Sequence, residues 1–102
     1  DSIVKITEWI GLSYANRTRE FYFKNQKLIF VYEKFDSFIT EKSDSLDFSK
    51  ARKVFEGRYY FKNDKLIDEK LWGKKPMGGE KTTASDLLSD AKEYVGFFAE
   101  KK

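Results

Sequence analysis

Tyr22-Phe23-Lys24-Asn25-Gln26-Lys27-Leu28-Ile29 recurs 38 residues later as Tyr60-Phe61-Lys62-Asn63-Asp64-Lys65-Leu66-Ile67, with seven of the eight positions identical. Each copy is a run of β-favouring residues, then Lys-Asn-x-Lys, then a second such run. Asparagine tolerates positive φ, so Asn25-Gln26 and Asn63-Asp64 read as two-residue hairpin turns. Counting outward from such a turn pairs Lys24 with Lys27, Phe23 with Leu28 and Phe21 with Phe30. In the second copy it pairs Phe61 with Leu66, Tyr60 with Ile67 and Arg58 with Glu69. Cross-strand aromatic–aliphatic pairs of this kind contribute about 0.2–1 kcal/mol each.

Alternation then sorts the side chains. One face collects Phe21, Phe23, Leu28, Phe30, Phe55, Tyr59, Phe61, Leu66 and Trp72. The other collects Tyr22, Ile29, Val31, Val54, Tyr60, Ile67 and Leu71. Both faces are apolar. Ile3 to Trp9 reads as a further strand, while Gly11 to Arg17 either extends it through a bulge or forms a loop. Thr40 to Ser49 is polar and aperiodic, a mobile connection over about 40–49, with a short helix around Phe48 to Val54 as the competing reading.

Gly73 to Thr82 holds the only proline, Pro76, with Gly78 and Gly79, and reads as a linker over 73–82. Thr83 and Asp86 stand where an N-cap and an acidic first turn belong. Leu87, Leu88, Ala91, Tyr94, Val95, Phe98 and Ala99 then form a stripe at helical spacing, which predicts a helix over 84–100. The fold expected is α+β: an antiparallel sheet of about five strands, built on two repeated hairpins, with a C-terminal helix packed on one face. At 102 residues the chain, 1–102, is a single domain.

One helix covers one face. Fully burying a large apolar side chain gains roughly 1.5–3 kcal/mol, so a second apolar face left wet forgoes several such increments. A patch of that kind marks an interaction surface. Tyr22, Ile29, Val31, Tyr60, Ile67 and Leu71 are therefore the candidate binding residues. The face can be satisfied by curling of the sheet, by face-to-face dimerisation, or by a protein or small-molecule partner.

Composition excludes much chemistry. The chain has 0 His and 0 Cys, which removes Cys/His metal sites, thiol nucleophiles, disulfides and imidazole bases. No catalytic residue, metal ligand or cofactor is expected. Gly73, Gly78, Lys81 and Thr82 do not fit a phosphate-binding loop, because Gly79 and Glu80 occupy the positions where Lys and Ser/Thr belong. Glu56, Asp68 and Glu69 show no spacing that singles out a hydrolytic pair. Trp9 and Trp72 read as core or interface anchors; a carbohydrate-stacking role is the alternative, without support from other residues. With 20 Lys and Arg against 17 Asp and Glu, the net charge is only +3 and is spread along the chain. That is not the clustered footprint of a dedicated nucleic-acid binder. Arg19 and Arg58 beside aromatic residues nevertheless leave single-strand binding as an alternative.

The segments Phe21 to Ile29 and Tyr59 to Ile67 resemble hairpins of the form Y-[YF]-x-N-G-K-[LI]-[IV], repeated in uncharacterised exported bacterial domains of periplasmic or lipoprotein type. Gln26 and Asp64 stand where that pattern has glycine. The resemblance implies a β-sheet fold and an envelope location, and carries no activity and no catalytic residues. No run approaches the roughly 18 apolar residues of a spanning helix. The chain opens with Asp1-Ser2, which reads as a removed leader or a shortened chain, and a periplasmic or exported location is expected, with the cytoplasm as the alternative. The function expected is a non-enzymatic binding or interaction module of the bacterial cell envelope.

Overall fold

The structure, a computed structural model, describes residues 3–38, 51–76 and 79–100, with helix side chains as far as Phe97. Five strands follow in order, β1 (Ile3–Gly11), β2 (Ala15–Lys24), β3 (Lys27–Ser37), β4 (Arg52–Lys62) and β5 (Lys65–Gly73), and then a helix, α1 (Ala84–Glu100). The strands form one antiparallel sheet in the order β1-β2-β3-β4-β5. The expected α+β architecture is therefore the one observed. Within 11–17, Gly11 completes β1, Ala15 opens β2, and Leu12 N–H donates to the Ala15 carbonyl across the turn. The expected connection over 40–49 lies outside the described residues, and of the competing helix over 48–54 only 52–54 is in a described element, where it is strand.

Both repeated turns have the backbone their asparagines suggested. Asn25 and Gln26 have φ of 51° and 64°, and Asn63 and Asp64 have 51° and 61°. Positive φ at both central residues matches the right-handed twist of the flanking strands. Immediately beyond each turn, however, one residue is extra. Phe23 pairs with Leu28 but Tyr22 pairs with Phe30, leaving Ile29 as a bulge. Phe61 pairs with Leu66 but Tyr60 pairs with Asp68, leaving Ile67 in the equivalent place. A bulge puts two residues opposite one, so parity beyond it is reversed.

That reversal corrects four face assignments and three pairings. Val31, expected on the open face, pairs with Phe21 and is completely buried in the core. Phe30, expected inside, lies between Tyr22 and Tyr60. Leu71 pairs with Gly57, and Trp72 with Glu56, so these two also exchange faces. Arg58 faces Lys70, not Glu69, and Tyr60 faces Asp68, not Ile67. A third bulge at Val54 turns that side chain against Ala15, Phe35 and Phe55.

The helix begins as its sequence dictates: Thr83 Oγ1 accepts the Asp86 N–H at 3.1 Å, satisfying one of the free donors of the first turn. Its apolar stripe covers the hairpin half of the sheet. Leu87 and Ala91 are buried with Phe21, Phe23, Leu28, Val31, Tyr59 and Phe61, while Leu88, Tyr94 and Val95 pack against that cluster. A second cluster of Ala15, Phe35 and Phe55 lies at the far end of the sheet, under the linker. Lys75 of that linker sits over both rings, its ammonium 5.7 Å from the Phe35 centroid and 5.2 Å from that of Phe55.

Candidate functional site: the open sheet face

The sheet has two chemically different sides. On the helix side the two apolar clusters are separated by buried charge. Glu33 is 0% exposed, and its carboxylate accepts from Arg19 Nε at 2.7 Å, Thr82 Oγ1 at 2.8 Å and the Tyr59 hydroxyl at 3.1 Å, with Lys75 Nζ at 3.7 Å. Burial pushes this carboxyl up, but the Arg19 charge and hydrogen bond, then Lys75 and Thr82, outweigh it and leave the group below its ordinary value. Burial pushes the Lys75 ammonium down against the pull of Glu33. Tyr59 is raised by burial and by the neighbouring Glu33 charge. Arg19 also reaches Asp90 of α1 at 3.4 Å. Sheet and linker thus meet at one carboxylate, and Arg19 links that group to the helix through Asp90. Each acceptor there is occupied by a donor, which suits holding the layers together more than reacting with a substrate. Among the described residues no group of three or more acidic side chains is placed to hold a metal ion.

The other side carries no helix. Its floor is a row of touching rings: Tyr22 and Phe30 have centroids 5.5 Å apart, Phe30 and Tyr60 5.1 Å, and both pairs are tilted by 44°. Lys5 stands over Tyr22 at 6.0 Å and the Arg58 guanidinium over Tyr32 at 5.4 Å. Carboxylates alternate with these cations. Lys5 pairs with Glu20 at 3.5 Å, Lys34 with Asp36 at 3.4 Å, and Glu56 with both Lys53 and Arg58. Hydrogen bonds from Lys53 and Tyr32, and the pairing with Arg58, hold the Glu56 carboxyl down at about 2. Burial and the Glu56 partner push the Tyr32 phenol up to about 12. The face is aromatic, and most of its cations are held by carboxylates, with Glu56 shared by Lys53 and Arg58; Lys70, which faces Arg58, is exposed and makes no ion pair among the described residues.

Both tryptophans lie here. Register runs Trp9–Thr18–Lys34–Glu56–Trp72 across all five strands, so the two indoles close the ends of one row. They are 62% and 56% exposed. Gly11 lies beneath Trp9: a Cβ there would meet the indole Cη2 at 2.8 Å, so the benzo ring rests on bare backbone. Lys53 Nζ lies 5.7 Å from the Trp72 ring centre.

Of the six residues expected to form the binding surface, Tyr22 and Tyr60 belong to this face and are half-buried in its ring row. Ile29 and Ile67 are the bulge residues, the second of them 62% exposed. Val31 and Leu71 are on the helix side. Val31 is core, and Leu71 borders, with Phe55, Tyr59 and Thr82, a hollow of about 450 Å³ under the linker. Sequence reasoning missed Trp9, Trp72, Tyr32 and the Lys53–Glu56–Arg58 group as members of one surface. Strict alternation misplaces Tyr32, Lys53 and Trp72, since each of the three bulges falls inside a strand that carries one of them; Trp9 lies on β1, which has no bulge, and joins the others only through the cross-strand register. Arg19, one of two arginines invoked for single-strand binding, is 8% exposed and lies on the helix side.

Comparison of the chain with protein-family models, with curated proteins and with solved structures finds no match. No helix among the described residues is long and apolar enough to cross a membrane.

Proposed function

We propose that the chain is a non-enzymatic binding module of the bacterial cell envelope whose docking surface is the open face of the sheet. The observation that carries the reading is the placement of Trp9 and Trp72, both more than half exposed, at opposite ends of one cross-strand row. Leaving two indoles in water forgoes the largest burial increments available to a chain of this size, and exposed aromatic side chains of this kind mark contact surfaces. The envelope assignment is supported by the resemblance of the repeated hairpins to those of exported bacterial domains. Co-sedimentation with an insoluble bacterial envelope fraction tests the reading. The wild-type chain is expected in the pellet and the Trp9→Ala/Trp72→Ala double variant in the supernatant; equal partition of the two would overturn it.

A second reading rests on β1. This nine-residue edge strand leaves Ile3, Val4, Trp9 and Ile10 exposed and has no bulge or proline, whereas β5 carries a bulge and four charged residues. An edge of that composition is a template for pairing with a second copy. Sedimentation equilibrium decides: a dimer abolished by Thr7→Pro supports it, and a monomer at all concentrations removes it.

A further inference from the structure

We propose that the ligand of the open face is a neutral, linear polysaccharide chain lying along the row from Trp9 to Trp72. This rests on the open-face reading above and assigns its chemistry.

Charge is the first argument. A surface selecting a polyanion leaves cations unpaired, so that binding releases counterions. Here the cations that flank the aromatic rings are held by carboxylates of the same face, Lys5 by Glu20 and Arg58 by Glu56. The lysines beside the two turns, Lys24 and Lys62 among them, stand about 20 Å along the strands from the tryptophan row. That is beyond two Debye lengths at physiological salt. Within the row Lys34 and Glu56 offset each other, and the unpaired cation near it among the described residues is Lys70, two residues from Trp72 and facing Arg58, so the row presents little net charge to a ligand.

Shape is the second. Strands are spaced about 4.8 Å apart, so the backbones of β1 and β5, which carry the two indoles, lie about 19 Å apart, longer than one sugar ring. The occupant must be a chain. Between the indoles the floor offers hydroxyl and charged hydrogen-bonding groups, Thr18 and Lys34, which suit the hydroxyls of a polyol. An indole resting on a glycine leaves one ring face free, as Trp9 does over Gly11, and that face accepts the apolar C–H side of a sugar. Neighbouring strands also turn by roughly 20–25°, so the two indoles do not share a plane. A soluble chain can follow such a surface; a flat crystalline one cannot.

Titration calorimetry with dextran, galactomannan, xyloglucan and hydroxyethylcellulose tests the proposal, with dextran sulfate and crystalline cellulose as contrasts. The expected result is binding of at least one soluble neutral polymer, with an affinity that does not change with salt. It weakens by about tenfold in Trp9→Ala and in Trp72→Ala. Both side chains are exposed, so circular dichroism should show both variants folded. Binding of dextran sulfate alone, lost at high salt, would overturn the proposal, and so would silence towards all four neutral polymers. If the envelope fraction still pellets the chain in a tryptophan-dependent way in either of those cases, the open-face reading survives and only the polysaccharide assignment falls.

Discussion

The Thr82 hydroxyl, on the linker that precedes the helix, lies 2.8 Å and 3.0 Å from the two carboxylate oxygens of Glu33 in the middle of β3. These residues are 49 positions apart, and both are buried. Arg19 and Lys75 complete the group from β2 and the linker. A buried ion cluster of this kind adds little relative to an apolar core, yet breaking it is costly because the remaining charges are stranded.

Glu33→Ala should therefore destabilise the fold by about 3–5 kcal/mol, since Arg19 and Lys75 then lose their shared carboxylate. Thr82→Val removes one hydroxyl and should cost roughly 1–2 kcal/mol. The effects should not add in the double variant, because both act on one network. Urea unfolding of the three variants is the measurement. A Glu33→Ala variant as stable as the parent would show that the cluster does not hold the linker down.

Acid should loosen the open face at a defined place. The Glu56 carboxyl sits at about 2 in the folded chain against an ordinary 4.5, held by Lys53, Tyr32 and Arg58. A depressed folded value means that the unfolded chain takes up the proton first. The stability contributed is complete above pH 4.5 and is lost as pH falls toward 2. Glu33, also lowered, acts in the same direction. The thermal midpoint should fall across this window, and fall less steeply in Glu56→Gln. Parallel curves for the two proteins would count against the assignment.

Gly57→Ala should be disruptive although the position is in mid-strand. A Cβ there would lie 2.7 Å from the Tyr59 hydroxyl oxygen and 2.9 Å from its ring Cε2. The ring cannot swing aside freely, because its hydroxyl donates to Glu33 at 3.1 Å inside the cluster. Overpacking of this sort costs about 1–3 kcal/mol. Thermal unfolding checks it, and Tyr59→Phe/Gly57→Ala should recover part of the loss by freeing the ring tip. If Gly57→Ala alone is neutral, the ring is not pinned.

Which parts of this were legible beforehand follows from the range of the interactions. The two turns are local, and Asn25 and Asn63 announced them. The helix is nearly local, and its stripe from Leu87 to Val95 together with Thr83 and Asp86 announced its limits. The sheet face depended on a count of residues, and a single extra residue, Ile29 or Ile67, reverses everything downstream. So Val31 and Phe30 exchanged sides, as did Leu71 and Trp72, and the two tryptophans were read as unrelated. Nor could the Glu33 cluster be seen: its members come from β2, β3, β4, the linker and α1, and no sequence spacing joins them.

The repeated turns give the last prediction. Gln26 and Asp64 occupy the second turn position at φ of 64° and 61°. An L side chain there is crowded against its own backbone, and glycine is not. The neighbouring bulges at Ile29 and Ile67 leave the turn geometry intact, since Lys24 still pairs with Lys27 and Lys62 with Lys65. Gln26→Gly and Asp64→Gly should therefore each stabilise the chain by about 0.5–1 kcal/mol, the relief of strain being offset in part by the greater freedom of the unfolded chain. Because the turns lie on different hairpins, the two gains should add. A double variant no more stable than the parent in urea would mean that the left-handed conformation costs these residues nothing.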